Sequence, residues 1–263
     1  MRASGNTFGQ SRRALVTAGA VGLIGLPLLA ACSGADEKNV GAVEDLMREH
    51  GVLRRVLLVY AQSVPRLRAD AASVLASHLN RAAKLFHDFG EDYHERKLEE
   101  AYIFPRVQKA GGSAGGLVDT LLKQHQRGRE ITAFILSATA SGTVSAANAE
   151  PLARAFETFV RMYQNHTARE DTVIFPAWKD VLSGREIEEL GEKFEDIEKA
   201  QFGGDGFEGA VKQMDGIERA LGFADLSLFT APPPPRPGKS PGGAGTATAK
   251  APLSSPLPPS WIP

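Results

Sequence analysis

One motif occurs twice in this chain: residues 94–105 read HERKLEEAYIFP, and residues 166–176 read HTAREDTVIFP. Each copy places a histidine before a glutamate and then Ile-Phe-Pro. The two glutamates, Glu99 and Glu170, lie at the same distance from their Phe-Pro. This agreement in register indicates an internal duplication of a helix pair.

A further histidine lies upstream of each copy, His50 before the first and His125 before the second. In the second copy, His166 and Glu170 are four residues apart, a rotation of about 40° that lets both reach one interior point. Imidazole nitrogens and carboxylate oxygens suit iron, manganese and zinc. Four helices that each point such a ligand inward are therefore expected to surround a pair of metal ions.

The stretches around the motif have apolar residues at three-and-four spacing and no alternating strand pattern, which predicts an all-α fold. Phe104-Pro105 signals the approaching end of a helix, the Gly111–Gly116 cluster predicts a turn, and Pro151 suits the first turn of another helix. We expect a four-helix up-down bundle over residues 40–183. Its helices are predicted at about 40–62, 69–107 with a break near Gly90, 117–138 and 151–182.

Two regions follow the bundle. Residues 184–230 contain two acidic helical patterns, at about 185–201 and 207–221, and predict a C-terminal helical extension. Residues 231–263 hold 11 of the 16 prolines of the chain, a composition that predicts a disordered tail. The Pro232–Pro235 run also suits a polyproline ligand, but a flexible spacer is the favoured interpretation.

Residues 1–32 have the order of a secretory signal peptide, because basic residues precede an uncharged apolar stretch over residues 14–31. The stretch ends in Leu29-Ala30-Ala31-Cys32, which resembles the bacterial lipobox, in which the cysteine is lipidated and becomes the new N-terminus. A transmembrane anchor is the alternative, but the segment is short for a span and is interrupted by Pro27. Ser11-Arg12-Arg13-Ala14 also resembles a twin-arginine signal, a route for folded, cofactor-loaded proteins.

These features predict an exported protein that is anchored to the membrane through lipidated Cys32, with residues 33–39 as a linker. Cys32 is the only cysteine, so the chain forms no intrachain disulfide and depends on packing or metal. The formal net charge of -1 gives no argument for a nucleic-acid partner. No motif identifies a protein partner.

With these residues the chain resembles the hemerythrin-like, HHE cation-binding family over about residues 41–182. That family consists of four-helix bundles that hold a non-haem di-iron site. The resemblance implies two bridged iron ions, although another divalent metal suits the same residue types. It also implies oxygen-derived chemistry or carriage, with O2 or NO as the small ligand. By motif position it implies four histidine ligands and two bridging carboxylates: His50, His94, His125, His166, Glu99 and Glu170.

Two features depart from the pattern of that family. His94 and Glu99 are five residues apart, a rotation of about 140°, so a π-bulge or a local bend is needed to make them converge. On the third helix, where hemerythrins have two histidines four apart, His125 is flanked by Leu121 and Arg129. One iron is then expected to lack a ligand, which favours small-molecule binding or reactive chemistry there.

His87 is a further candidate metal ligand, with Glu91 as its companion. His87 lies seven residues before His94, on the same helix face but about 10 Å along the axis. Any single histidine on an apolar stripe is more often a packed core residue. Buried carboxylates are costly unless paired or metal-bound, however, so the combined set favours metal.

Three functions are compatible with this sequence. The favoured one is a di-iron protein of the cell envelope that binds or senses dioxygen, nitric oxide or iron. The second is a di-iron oxidoreductase acting on peroxide or oxygen, which requires a redox partner that no motif reveals. The third is a metal-free structural bundle of the envelope that makes its contacts through the proline-rich tail.

Overall fold

The computed structural model describes residues 40–234, and this part of the chain is helical, with no strand. The prediction of an all-α helical bundle is therefore confirmed. The predictions for residues 1–39, which are the signal peptide, lipidated Cys32 and the linker, lie outside the described residues, as do residues 235–263 of the proline-rich tail. Within residues 40–234, no helix is both long enough and apolar enough to cross a membrane.

Four helical columns form the bundle, and two of them join α-helical segments through a π-helix. The first column is α1, Ala42–Asp70, followed by a 3-10 turn, Ala71–Ser73. The second column consists of α2, Ala76–Leu85, a π-helix, Phe86–Ile103, and α3, Phe104–Ala110. A short helix, α4, Gly112–Gly115, leads to the third column, α5, Val118–Thr139. The fourth column consists of α6, Ala146–Arg169, a second π-helix, Glu170–Ile174, and α7, Phe175–Asp180.

Two helices are longer than the sequence pattern predicts. Helix α1 continues through Pro65 to Asp70, because Val64 and Leu67 extend its buried stripe. Helix α6 begins before Pro151, since the Ser145 side chain caps it by accepting a hydrogen bond from the backbone N–H of Asn148. Such a cap satisfies one of the donors that a helix start leaves without a partner.

An aromatic layer fills the core between the columns. The Tyr60 ring on α1 stacks on Phe156 of α6 with the ring centroids 4.2 Å apart. Phe86 meets both Phe159 and Tyr163 edge-on at 4.8 Å. All these side chains are fully buried, and burial of each large ring stabilises the fold by about 1.5–3 kcal/mol. This layer holds the four columns in register.

The two π-helices end at equivalent places, directly before the two Phe-Pro pairs. The N–H of Phe104 donates to the carbonyl of Glu99, and the N–H of Phe175 donates to that of Glu170, both across five residues. The prolines that follow have no N–H for the carbonyl four residues earlier, so the regular ladder is interrupted there. The wider turn of a π-helix brings residues five apart, and not only residues four apart, onto one helix face.

The C-terminal extension consists of α8, Gly184–Phe202, and α9, Gly206–Leu221. A capping box between Ser183 and Glu186 starts α8. Helix α9 packs on α1 and α2, and α8 packs on α1 and the long π-helix. Arg55 of α1 donates hydrogen bonds to Glu218 at 2.6 and 2.9 Å and to Asp215 at 2.5 Å. The extension is thus part of the folded unit.

Carboxylates accumulate where the extension meets the start of α1. Burial, followed by the charge of Glu49, raises the pKa of Asp45 to about 6. Burial also raises the pKa of Glu198 on α8 to about 7, with Glu49 and Asp205 adding to the effect. The folded protein therefore holds protons at Asp45 and Glu198 that the unfolded chain releases at lower pH.

This junction should make the stability fall as the pH rises. Because the pKa values are raised from 3.8 to about 6 at Asp45 and from 4.5 to about 7 at Glu198, proton binding stabilises the fold fully at a pH below the ordinary values. This contribution is lost as the pH rises through about 6 and 7. The double variant Asp45→Asn with Glu198→Gln should show a shallower loss of unfolding free energy, measured by urea denaturation between about pH 5 and pH 8. The exposed Glu188→Gln variant is the control. Parallel pH profiles for the double variant and the parent would contradict this assignment.

Candidate metal centre

Four histidines, one from each helical column, meet in the core of the bundle. Their exposed fractions are at most 2%. His50 Nε2 lies 3.0 Å from His94 Nε2, and His125 Nε2 lies 3.0 Å from His166 Nε2. The histidines therefore form two pairs, and each pair directs two ring nitrogens at one point.

Two buried glutamates link the pairs. Glu99 has Oε1 at 3.4 Å from His94 Nε2 and Oε2 at 3.4 Å from His125 Nε2. Glu170 has Oε1 at 2.9 Å from His166 Nε2, and its Oε2 is 3.5 Å from the Nε2 atom of the α1 histidine. Each carboxylate thus offers one oxygen to each pair. At each pair, two histidine nitrogens and two carboxylate oxygens therefore converge.

The atoms of this cluster fit a pair of metal ions. Although the glutamate oxygens lie close to the histidine nitrogens, none of the four oxygens of Glu99 and Glu170 has a partner at hydrogen-bonding geometry among the described residues. Burial of carboxylates without partners is strongly unfavourable. Cations at the two points where nitrogens and oxygens converge would satisfy them all, and these donor types suit iron, manganese and zinc.

The five-residue spacing of His94 and Glu99 is accommodated by the π-helix that contains them. Its wider turn brings both side chains onto the interior face, which a regular α-helix would not do. His166 and Glu170, four apart, converge at the end of α6, where the second π-helix begins. The local distortion predicted for the first copy of the motif is therefore present in the structure.

A second layer of residues orients the four rings through their Nδ1 atoms. His94 donates from Nδ1 to Glu49 at 2.5 Å, and His166 donates to the amide oxygen of Gln124 at 2.9 Å. Because these oxygens act as acceptors, each Nδ1 carries the proton and each Nε2 presents its lone pair to the interior. Two Nε2 atoms 3.0 Å apart need a cation between their lone pairs, either a proton shared by the two rings or a metal ion that replaces it.

The other two rings are held in the same way by residues of the opposite motif copy. His50 donates from Nδ1 to Asp171 at 2.7 Å, and His125 donates to Glu100 at 2.9 Å. Arginines four residues after these two histidines complete the arrangement, since Arg54 pairs with Asp171 and Arg129 pairs with Glu100. Arg129, which departs from the family pattern, therefore has a counterpart in Arg54.

Sequence reasoning missed these four orienting residues. Each is a chain neighbour of a ligand candidate: Glu49, Glu100, Gln124 and Asp171. Each nevertheless serves a histidine of another helix. Their adjacency to the motif was the available signal, but only the packing of the columns pairs each one with its ring.

Burial and charge adjust the protonation of the cluster. Burial, followed by repulsion from His125, lowers the pKa of His166 to about 3. Burial, followed by the charge of Glu99, raises the pKa of Glu170 well above its ordinary value. His166 is thus neutral and ready to bind metal at neutral pH, whereas metal binding at Glu170 displaces a proton.

His87 and Glu91 lie outside this cluster. The His87 side chain is 42% exposed, and its Nδ1 lies 2.8 Å from Asp88 and 3.6 Å from Asp92. Glu91 is buried, but it belongs to none of the groups of converging ligand atoms among the described residues. The ligand atoms of His87 converge with those of Asp88 and Asp92 rather than with those of the centre, so a ligand role for His87 stays a prediction.

Glu95 forms a buried network beside the second histidine pair. It accepts hydrogen bonds from Tyr163 Oη at 2.7 Å and from Arg129 at 3.2 Å, and its Oε2 is 3.9 Å from His125 Nδ1. Gly128 makes room for this network, because a Cβ atom there would lie 2.0 Å from Tyr163 Oη. The close approach of α5 and α6 at this level therefore requires glycine.

Fold and site together define a helical-bundle protein with a candidate two-metal centre of histidine and glutamate. The hemerythrin HHE cation-binding domain family matches residues 41–178, and the chain belongs to this family. The family supports metal binding, with iron as its typical metal.

Mycobacterial relatives extend the similarity beyond the bundle. The chain is 43% identical over 233 residues to proteins of Mycobacterium bovis and Mycobacterium tuberculosis, named uncharacterized proteins Mb2018 and Rv1995. Each alignment covers 82% of this chain and 88% of the relative. No solved structure matches the chain.

Removal of an orienting carboxylate should weaken metal binding without abolishing it. We expect Glu49→Ala to lower the affinity of one metal ion by about 10–100-fold, because the His94 ring loses its fixed orientation. Glu49→Gln should recover part of the loss, since Gln124 fills the equivalent role in the second pair. Titration with Zn2+ against a competing chelator measures this effect, with the exposed Glu44→Ala as the control. Equal affinities for parent and Glu49→Ala would contradict the role of Glu49.

Gly128→Ala tests the close approach of α5 and α6. The added methyl group displaces Tyr163, so the free energy of unfolding should fall by about 1–3 kcal/mol, as for overpacked cores. The matched control is Gly51→Ala on α1, where an added Cβ meets no atom within 4 Å. That control should gain up to about 1 kcal/mol from helix propensity. Urea denaturation distinguishes the two, and equal stabilities would contradict the packing argument.

Proposed function

We propose that this chain is a non-haem di-iron protein of the cell envelope that binds or senses dioxygen, nitric oxide or iron itself. The observation that carries the proposal is the bridging position of Glu99 and Glu170, whose oxygens are shared between the two histidine pairs. Paired ions bridged by carboxylates supply redox and Lewis-acid chemistry when they are bound.

The residues of the chain hold the ions and limit what reaches them. His50 and His94 serve one ion, His125 and His166 serve the other, and the two glutamates serve both. Each ion would then have four protein atoms as ligands, and its remaining positions would be open to a small molecule. The complete burial of the ligands favours diatomic molecules or peroxide over larger substrates.

A di-iron oxidoreductase that acts on peroxide or oxygen is the second candidate. Each histidine pair has the same donors, two nitrogens and two carboxylate oxygens. This favours the oxidoreductase, because both ions would then have open coordination positions for a reacting molecule. The buried hydroxyls of Tyr93, which donates to Glu49 at 3.0 Å, and of Tyr163, which donates to Glu95 at 2.7 Å, place hydrogen-bond donors close to the two histidine pairs.

Metal analysis of the mature chain, purified without oxygen, tests the di-iron proposal. Two irons per chain are expected, with a new absorption band when air is admitted. His166→Ala and Glu170→Ala should each lose at least one iron, whereas His78→Ala, which alters a histidine far from the centre, should keep both. Unchanged iron content in both site variants, or a folded protein that contains no metal, would contradict the proposal.

Peroxide turnover separates carriage from catalysis. With a reductant present, a sustained rate of peroxide consumption that disappears in His166→Ala supports the oxidoreductase. Reversible binding of O2 or NO without turnover supports carriage or sensing.

The envelope location rests on the signal-like residues 1–31 and on Cys32. We expect the full-length protein to partition with membranes and to incorporate a labelled fatty acid, and Cys32→Ser to lose both properties. A soluble, unlabelled full-length protein would contradict lipid anchoring.

A further inference from the structure

A row of titratable residues extends along the second column from the surface to the metal centre. His87, Glu91, Glu95 and Glu99 follow one another at intervals of four residues along the π-helix Phe86–Ile103, close to one turn of that helix. The His87 side chain is 42% exposed, whereas Glu91, Glu95 and Glu99 are at most 1% exposed. The row therefore begins in solvent and ends between the histidine pairs.

Glu91 is the member of this row that neither the metal centre nor the fold explains. Neither of its carboxylate oxygens has a hydrogen-bond partner among the described residues. The Thr132 hydroxyl on α5 lies near this carboxylate and lowers its pKa, and the Tyr60 hydroxyl on α1 interacts with its charge, yet neither hydroxyl has a partner at hydrogen-bonding geometry among the described residues. Three helical columns thus direct polar atoms that lack partners into one region of the core. Buried groups of this kind are usually satisfied by ordered water.

The charges around Glu91 let it hold a proton. Burial raises its pKa to about 7; the hydroxyl of Thr132 lowers the pKa, the charge of Glu95 raises it, and His87 and Arg129 lower it. Tyr60 and Tyr163 also interact with the charge of Glu91. Glu91 is thus close to half-protonated at neutral pH, which suits a group that both accepts and releases protons.

The row connects to the centre through the Glu95 network. Tyr163 and Arg129 both donate to Glu95, whose Oε2 lies 3.9 Å from the Nδ1 atom of His125. A proton held at Glu91 is therefore one helical turn from a carboxylate beside the second histidine pair.

We propose that His87 and Glu91, with water bound between Glu91, Thr132 and Tyr60, form a proton inlet from solvent to the buried metal centre. His87 takes a proton from water at the surface and passes it inward to Glu91, and then takes another from solvent. No other bond is made or broken. The use of this proton rests on the proposed function, because reduction of oxygen or peroxide consumes protons. The inlet itself can be tested without iron.

Infrared spectroscopy of the zinc-loaded mature chain tests the inlet. Near neutral pH the parent should show the carbonyl band of a buried protonated carboxyl group, and Glu91→Gln should lose that band. Glu198→Gln is the control, because that acid also has a raised pKa but belongs to α8 and not to the row. Retention of the full band in Glu91→Gln would overturn the proposal.

Exchange in heavy water tests the role of His87. After rapid mixing into D2O, the Glu91 band should shift at least about 100-fold more slowly in His87→Ala than in the parent, the lower end of the range for a positioned acid–base group. The partly exposed His78→Ala should exchange like the parent, and equal rates in His87→Ala would overturn the inlet. Bound zinc, measured in the same samples, shows separately whether the two-metal site is intact, so failure of the inlet and failure of the metal centre are distinguishable.

Discussion

Two buried carboxylates impose the central constraint on this protein. Glu99 and Glu170 lie fully buried between four helices, and none of their oxygens has a hydrogen-bond partner among the described residues. Removal of a carboxylate charge from water costs several kcal/mol, and burial accordingly raises the pKa of Glu170. The four histidines that face them, and cations held between the pairs, provide the compensation. The remaining polar residues of the core orient those histidines.

The duplication explains how a small number of residues builds a symmetric site. In each copy, the residue before the first histidine orients the second histidine of that copy, as Glu49 and Gln124 do. The residue after each glutamate orients a histidine of the other copy, as Asp171 and Glu100 do. The two halves therefore depend on each other, and neither histidine pair is complete without the opposite half.

The symmetry is broken on one side of the centre. Glu95 and Glu91 extend the polar core beyond the second histidine pair, and Gly128 allows Tyr163 to approach Glu95. On the other side, Tyr93 donates to Glu49, and Phe202 of α8 packs edge-on against its ring at 5.3 Å. The C-terminal extension therefore covers the residues that orient His94, while the opposite side keeps a polar row that reaches the surface.

The sequence by itself determined the all-α class, the bundle and the set of four histidines and two glutamates, because a repeated motif with helical spacing constrains which side chains face inward. It left open whether His87 reaches the site, and the structure places that side chain beside Asp88 and Asp92 instead. The signal peptide and lipidated Cys32 stay predictions. Only the tertiary structure decided how the five-residue spacing of His94 and Glu99 converges, because the π-helix depends on backbone hydrogen bonds that no periodicity reveals. It alone also paired each ring with its orienting partner, since those contacts join residues of different helices that only the packing of the four columns brings together.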